Sequence, residues 1–125
     1  MPREDDQKPK QRRGRQPYRT FYDQIGFHIS SSMHQEIKKI AAERKVRLEE
    51  IYAETITSLL EIRQRTSILY ISPPIQALAM RVTVPMDPDL SAKARDLAKQ
   101  DHRPLAVIFE TAVHLYLESL SRLPS

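Results

Sequence analysis

The spacing of apolar positions changes in a fixed order along this chain, and the order occurs twice. Residues 24–29 alternate: Ile25, Phe27 and Ile29 are apolar, and Gln24, Gly26 and His28 lie between them. A period of two marks a half-buried strand. Ser31 or Ser32 then offers a helix N-cap. After it Met33, Ile37, Ile40 and Ala41 recur at intervals of four, three and one, the stripe of a helix that ends near Lys45. After the break Lys45-Val46-Arg47 the pattern predicts a longer helix over 48–64, apolar on more of its circumference and therefore more buried. Residues 81–86 start the order again. Arg81, Thr83 and Pro85 alternate with Val82, Val84 and Met86, and N-cap candidates Asp87 or Asp89 follow. Pro88 suits a first helical turn, where its missing N–H is harmless. This helix ends near Asp101, and a last one covers 104–121.

A shift of 57 residues superposes the two series without a gap. Ile25, Phe27 and Ile29 fall on Val82, Val84 and Met86, and Met33, Ile37, Ile40 and Ala41 on Leu90, Ala94, Leu97 and Ala98. Leu48, Ile51, Tyr52, Ile56 and Leu60 fall on Leu105, Ile108, Phe109, Val113 and Leu117. One copy of about forty residues cannot close a core, because its strand has no partner. Two copies can, if their strands pair antiparallel above the four helices. The fold class expected is mainly α with a short two-stranded antiparallel ribbon. The segments are a basic arm (1–22), a first copy (23–64), a connector (65–79) and a second copy (80–121). Within the connector, Ile68–Ile71 is expected to be pinned against the core, with a further interaction surface as the alternative.

Charge separates the arm from the rest. The net charge is +4, and residues 1–19 hold seven cations against three anions, which is the whole excess. The arm is rich in Pro, Gln, Lys and Arg, so it cannot bury a core and is expected to be disordered in isolation. A basic arm on a neutral globule suits a polyanionic partner. The absence of cysteine excludes disulfides and thiolate metal sites and fits a reducing cytoplasm. Apolar runs of four or five residues are far short of a membrane span, and the polar start offers no signal-peptide core.

Enzyme chemistry finds little to stand on. His28, His34, His102 and His114 have no metal-ligand spacing, and with only Gly14 and Gly26 there is no phosphate-binding glycine loop. Tyr18, Tyr22 and Tyr70 lack the histidine cluster that a nicking nucleophile would need, and Glu49 and Glu50 read as a solvated helix start. Neither a catalytic residue nor a cofactor or metal is expected.

Strand, short helix, turn and longer helix, repeated, resemble the ribbon-helix-helix superfamily of DNA-binding proteins. The resemblance covers residues 24–61 and 81–118. It implies two ribbon-helix-helix repeats in one chain forming an intramolecular pseudo-dimer, where most members pair two chains. The single-chain form is similar to accessory DNA-binding proteins of plasmid transfer systems. The implied partners are double-stranded DNA, a relaxase and other DNA-transfer proteins, and the chain should be monomeric. The family often has a glycine between its helices. Both copies here lack one, which leaves the turn geometry open.

A ribbon of this kind enters the major groove. With Ile25, Phe27 and Ile29 inward, the outward residues are Gln24, Gly26 and His28, and Arg81, Thr83 and Pro85. Arg81 suits a guanine edge, Gln24 an adenine edge and Thr83 a polar edge or a thymine methyl. With His28 these are the base-readout candidates. Because the halves carry different letters, an asymmetric site is expected. Arg47 and Arg103, at the starts of the longer helices, and Lys8, Lys10, Arg12, Arg13, Arg15 and Arg19 in the arm are the phosphate candidates. Two rival roles use the same fold: a transcriptional autoregulator or antitoxin, and a protein-interaction adaptor without DNA binding.

Overall fold

In a computed structural model, which describes residues 23–73 and 78–121, both alternating segments are strands, each somewhat longer than its apolar alternation. The order is β1 (Asp23–Ser30), α1 (Ser31–Arg44), α2 (Leu48–Arg65), β2 (Ala79–Met86), α3 (Pro88–Gln100) and α4 (Leu105–Ser121). The strands form one antiparallel two-stranded sheet, with Asp23 opposite Met86, Gly26 opposite Thr83 and Ser30 opposite Ala79. Four helices and this ribbon give the expected mainly helical class.

Alternation puts one face of the ribbon on the helices. Ile25, Phe27, Ile29, Val82, Val84 and Met86 are all buried. They meet Ile51, Tyr52, Ile56 and Leu59 of α2 and Ile108, Phe109, Ala112 and Val113 of α4 in one core. The rings of Phe27 and Phe109 stack 3.8 Å apart, and Tyr52 meets Phe27 edge-on at 5.1 Å. As the apolar periodicity implies, α2 and α4 are the more buried helices, while α1 and α3 bury only a narrow stripe.

Neither inter-helix turn uses glycine, yet both adopt a glycine-type backbone. Lys45 (φ 58°) and His102 (φ 55°) are left-handed. Their N–H groups donate to the carbonyls of Ala42 and Lys99, and the next residues, Val46 and Arg103, donate to Ala41 and Ala98. Both turns are Schellman motifs, which satisfy carbonyls that the helix end would otherwise leave bare.

The helix starts differ from expectation on one side. Asp87 caps α3, its carboxylate accepting from the N–H groups of Asp89 and Leu90, and Pro88 follows in the first turn. For α1 the cap position is Ser30, not Ser31 or Ser32, and its side chain makes no cap bond. A carboxylate of α4 holds the cap residue itself. Glu110, only 2% exposed, takes the Ser30 N–H at 2.9 Å on Oε1 and the Ser30 hydroxyl at 2.8 Å on Oε2. His114 Nε2 lies 3.0 Å from the same Oε2.

The connector is only partly pinned. Ile68 and Tyr70 pack on the core, whereas Leu69 is 84% exposed and Ile71 sits at the surface. The backbone of Ile71 is held by the Thr111 hydroxyl, which accepts from its N–H at 2.8 Å. Tyr70 donates to Asp101, which also receives Arg63 in a two-pronged pair at 2.9 and 3.0 Å. The basic arm lies outside the described residues.

Candidate nucleic-acid interface

Burying one face of the ribbon presents the other. Gln24, His28, Arg81 and Thr83 are exposed, and Gly26 and Pro85 are half-buried on the same outward face. Register then decides which of them meet. His28 faces Arg81, Gly26 faces Thr83 and Gln24 faces Pro85. The structure therefore brings all four base-readout candidates onto one surface, beside a strand partner that offers no N–H at residue 85.

Gly26 has a further effect on this surface. A Cβ built there would fall 3.1 Å from the guanidinium carbon of Arg81. The arginine lies across the glycine from the neighbouring strand, using space that any side chain would take. Its charge is thus displaced from the end of the ribbon towards the middle, where Gly26 and Thr83 pair. Gly26 brings no side chain to this face; its contribution is the room it leaves.

The two helix-start arginines are not alike. Arg47 occupies the N-cap position of α2, and its backbone N–H is accepted by Glu50 Oε2 at 3.4 Å. Its guanidinium lies 3.8 Å from the Glu49 carboxylate, so an acidic first turn competes for the charge that a phosphate would use. Arg103 stands one residue earlier in its own turn, since Pro104 immediately precedes α4. It is exposed, with its guanidinium carbon 5.4 Å from the centre of the Tyr70 ring, a cation–π contact, and its charge also acts on the Asp101 carboxylate that Tyr70 binds. Lys8, Lys10, Arg12, Arg13, Arg15 and Arg19 lie outside the described residues.

At the Asp23–Met86 end of the ribbon, a cavity of about 570 Å³ is lined by Arg47, Glu49, Glu50 and Ala53 of the α2 start and by Pro85, Met86 and Asp87. Beside it Asp23 accepts from Ser91 Oγ at 2.7 Å and Arg95 Nη2 at 3.2 Å, bonds that hold its carboxyl below the usual range. At the opposite end, the position 57 residues after Ala53 is Glu110, whose carboxylate holds Ser30. This buried glutamate was missed from the sequence. Its signal was one acidic residue inside the apolar series Val107, Ile108, Phe109, Ala112 and Val113.

Two other buried polar groups hold the frame rather than face outward. His34 Nδ1 and the Tyr52 hydroxyl lie 2.7 Å apart beneath α1. Burial lowers the His34 pKa and raises that of Tyr52, so both are neutral at pH 7. Among the described residues no group of three or more His, Cys, Asp or Glu side chains is placed to hold a metal ion, and no helix is long and apolar enough to cross a membrane. Comparison with family models, curated proteins and solved structures finds no match for the chain.

Proposed function

We propose that the chain is a sequence-preferring double-stranded DNA-binding protein whose ribbon lies in the major groove. Its halves are two ribbon-helix-helix copies, and one polypeptide supplies the pseudo-dimer that other members assemble from two. The observation that carries this is the ribbon itself. It has a fully buried apolar face and an outward face bearing Gln24, His28, Arg81 and Thr83. Further support comes from the 57-residue offset, which recurs in features the apolar pattern did not use. The paired helices start at 31 and 88 and at 48 and 105, the left-handed residues are 45 and 102, and the strands cross where Gly26 faces Thr83.

In this role Arg81, aimed across Gly26, takes a guanine edge, and Thr83 and Gln24 take neighbouring bases, with His28 beside them. Arg103 and the arm hold phosphates and set affinity and salt dependence without choosing sequence. Because the ribbon is asymmetric in Arg81, Gly26 and Pro85, the site it prefers is asymmetric. The chain resembles the T-DNA processing accessory protein of the virulence C operon of Agrobacterium tumour-inducing plasmids. On that resemblance its biological task is to assist a relaxase in plasmid DNA transfer near a T-DNA border.

A fluorescence-anisotropy titration of a random duplex across a salt series tests the proposal. Intact protein should bind with steep salt dependence. Against a duplex selected for tight binding, an Arg81→Ala/Thr83→Ala variant should lose about 10- to 100-fold in affinity, and much less against the random duplex. Absence of binding by intact protein at low salt would refute DNA recognition and leave the adaptor role.

A further inference from the structure

Glycine inside a strand gives up side-chain packing, and it marks a positive φ, a bulge or a close approach by another group. Gly26 has no positive φ, and the ribbon register runs without a bulge from Asp23–Met86 to Ser30–Ala79. What approaches is Arg81. A Cβ on residue 26 would overlap Arg81 Nη2 and fall 3.1 Å from both Nε and the guanidinium carbon. Among the described residues, Arg44, Arg63 and Arg95 each donate to a carboxylate, whereas no acceptor takes the Arg81 guanidinium. Its donors lie over the ribbon and remain open to a ligand.

The gap is one-sided. Arg81 and Gln24 lie 57 positions apart, as do Thr83 and Gly26. Arg81 stands opposite His28, so its diagonal neighbour towards the middle of the ribbon is Gly26. Gln24 stands opposite Pro85, and its corresponding neighbour is Thr83. Thr83 carries a β-branched side chain where Gly26 carries none, so Gln24 has no equivalent path inward. Residues 57 apart face each other in the ribbon only at the Gly26–Thr83 pair, the point about which its two halves are related.

We propose that Gly26 is a specificity-determining residue that acts through Arg81. The space it leaves puts the guanidinium over the Gly26–Thr83 row, so that a guanine at the centre of the DNA site is read from one half only. This rests on the DNA-binding proposal above and narrows it: the asymmetry of the preferred site lies at its centre. Arg81 and Thr83 then serve the same central base pairs, and Gln24 and His28 serve the two flanks.

The test begins with selection of a preferred site from random duplexes by the full-length protein. The chain has no cysteine, so cleaving iron chelates attached through Ser32→Cys and, separately, Asp89→Cys, exposed positions 57 apart, mark the centre of that site as the midpoint of their cuts. A G·C pair should stand at or beside the midpoint, and its replacement by A·T should cost intact protein about 10- to 100-fold in affinity. Gly26→Ala requires only the far end of a flexible side chain to move. It should fold with an unchanged or higher Tm, yet lose about 10-fold or more of the central preference. In an Arg81→Ala background, adding Gly26→Ala should alter the affinity for neither duplex. Absence of a guanine preference at the centre, its survival in Gly26→Ala, or the same loss from Gly26→Ala with Arg81 removed would overturn the proposal while leaving the ribbon as reader. No binding of any duplex by intact protein would overturn the DNA-binding proposal itself.

Discussion

Arg44 ends α1 and Asp101 follows α3, 57 residues apart and opposite in charge. Arg44 forks onto Glu54 of α2 at 2.9 Å through both nitrogens, and the Tyr116 hydroxyl donates to the same glutamate at 2.8 Å. Asp101 is the acceptor in its half, taking both prongs of Arg63 and the Tyr70 hydroxyl. Both clusters join an arginine, a carboxylate and a tyrosine, but the first ties α1 to α2 and α4, whereas the second ties the end of α3 to α2 and the connector. A similar exchange occurs deeper. His34 and Tyr52 in the first half stand where the second has Ser91 and Phe109, and Ser91 bonds outward to Asp23 instead. What the fold requires at these points is a satisfied polar group, not a particular one.

The largest difference between the halves should appear at their first helix starts. Glu110→Ala strips a buried N–H and hydroxyl of their acceptor and should cost about 3 kcal/mol. Asp87→Ala removes an exposed cap and should cost about 1 kcal/mol. Urea unfolding of the two variants measures both, and equal losses would show that the buried Glu110–Ser30 contact is worth no more than an exposed cap. Next comes the buried pair: Tyr52→Phe leaves His34 Nδ1 without its partner and should lower stability by about 1–2 kcal/mol. A double-mutant cycle with His34 should return a coupling of similar size. The turns should respond alike and in the other direction. Lys45→Gly and His102→Gly each relieve a left-handed backbone and should raise stability by about 1 kcal/mol.

The smallest effect concerns acid. Arg63 and Tyr70 hold the Asp101 carboxyl down at about 2, against an ordinary value of 3.8. A depressed carboxylate stabilises the fold fully above its unfolded pKa and loses that contribution as pH falls through the folded one. The pair is partly exposed, so it is worth about 0.5–1 kcal/mol. Asp101→Asn should be the less stable protein at pH 6, and the gap should close between about pH 4 and pH 2. A gap that persists at pH 2 would assign the loss to packing rather than to the ion pair.

Much of the fold was legible because it depends on period. Ile25, Phe27 and Ile29 must share a face whatever their neighbours are, and the helix stripes follow by the same logic. The ribbon register was not legible residue by residue, since it is set where Gly26 meets Thr83 in the tertiary fold. The turns were hidden because Lys45 and His102 adopt a backbone that their identities disfavour, with hydrogen bonds to Ala42 and Lys99 holding them there. Glu110 was overlooked because a helix pattern shows which face is buried, not which distant N–H waits beneath it. For the interface, exposure of Gln24, His28, Arg81 and Thr83 followed directly from alternation. The lie of Arg81 over Gly26 and the pairing of Arg47 with Glu49 are contacts across space that spacing alone does not encode.

The most direct test is a two-dimensional amide NMR titration of the full-length protein with a tightly bound duplex at one protein per duplex. The ribbon proposal predicts the largest shifts at residues 24–28 and 81–84, with the α2 and α4 core amides little changed and a mass of one chain per complex. Large shifts confined to the exposed connector around Leu69, with the ribbon unmoved, would contradict it.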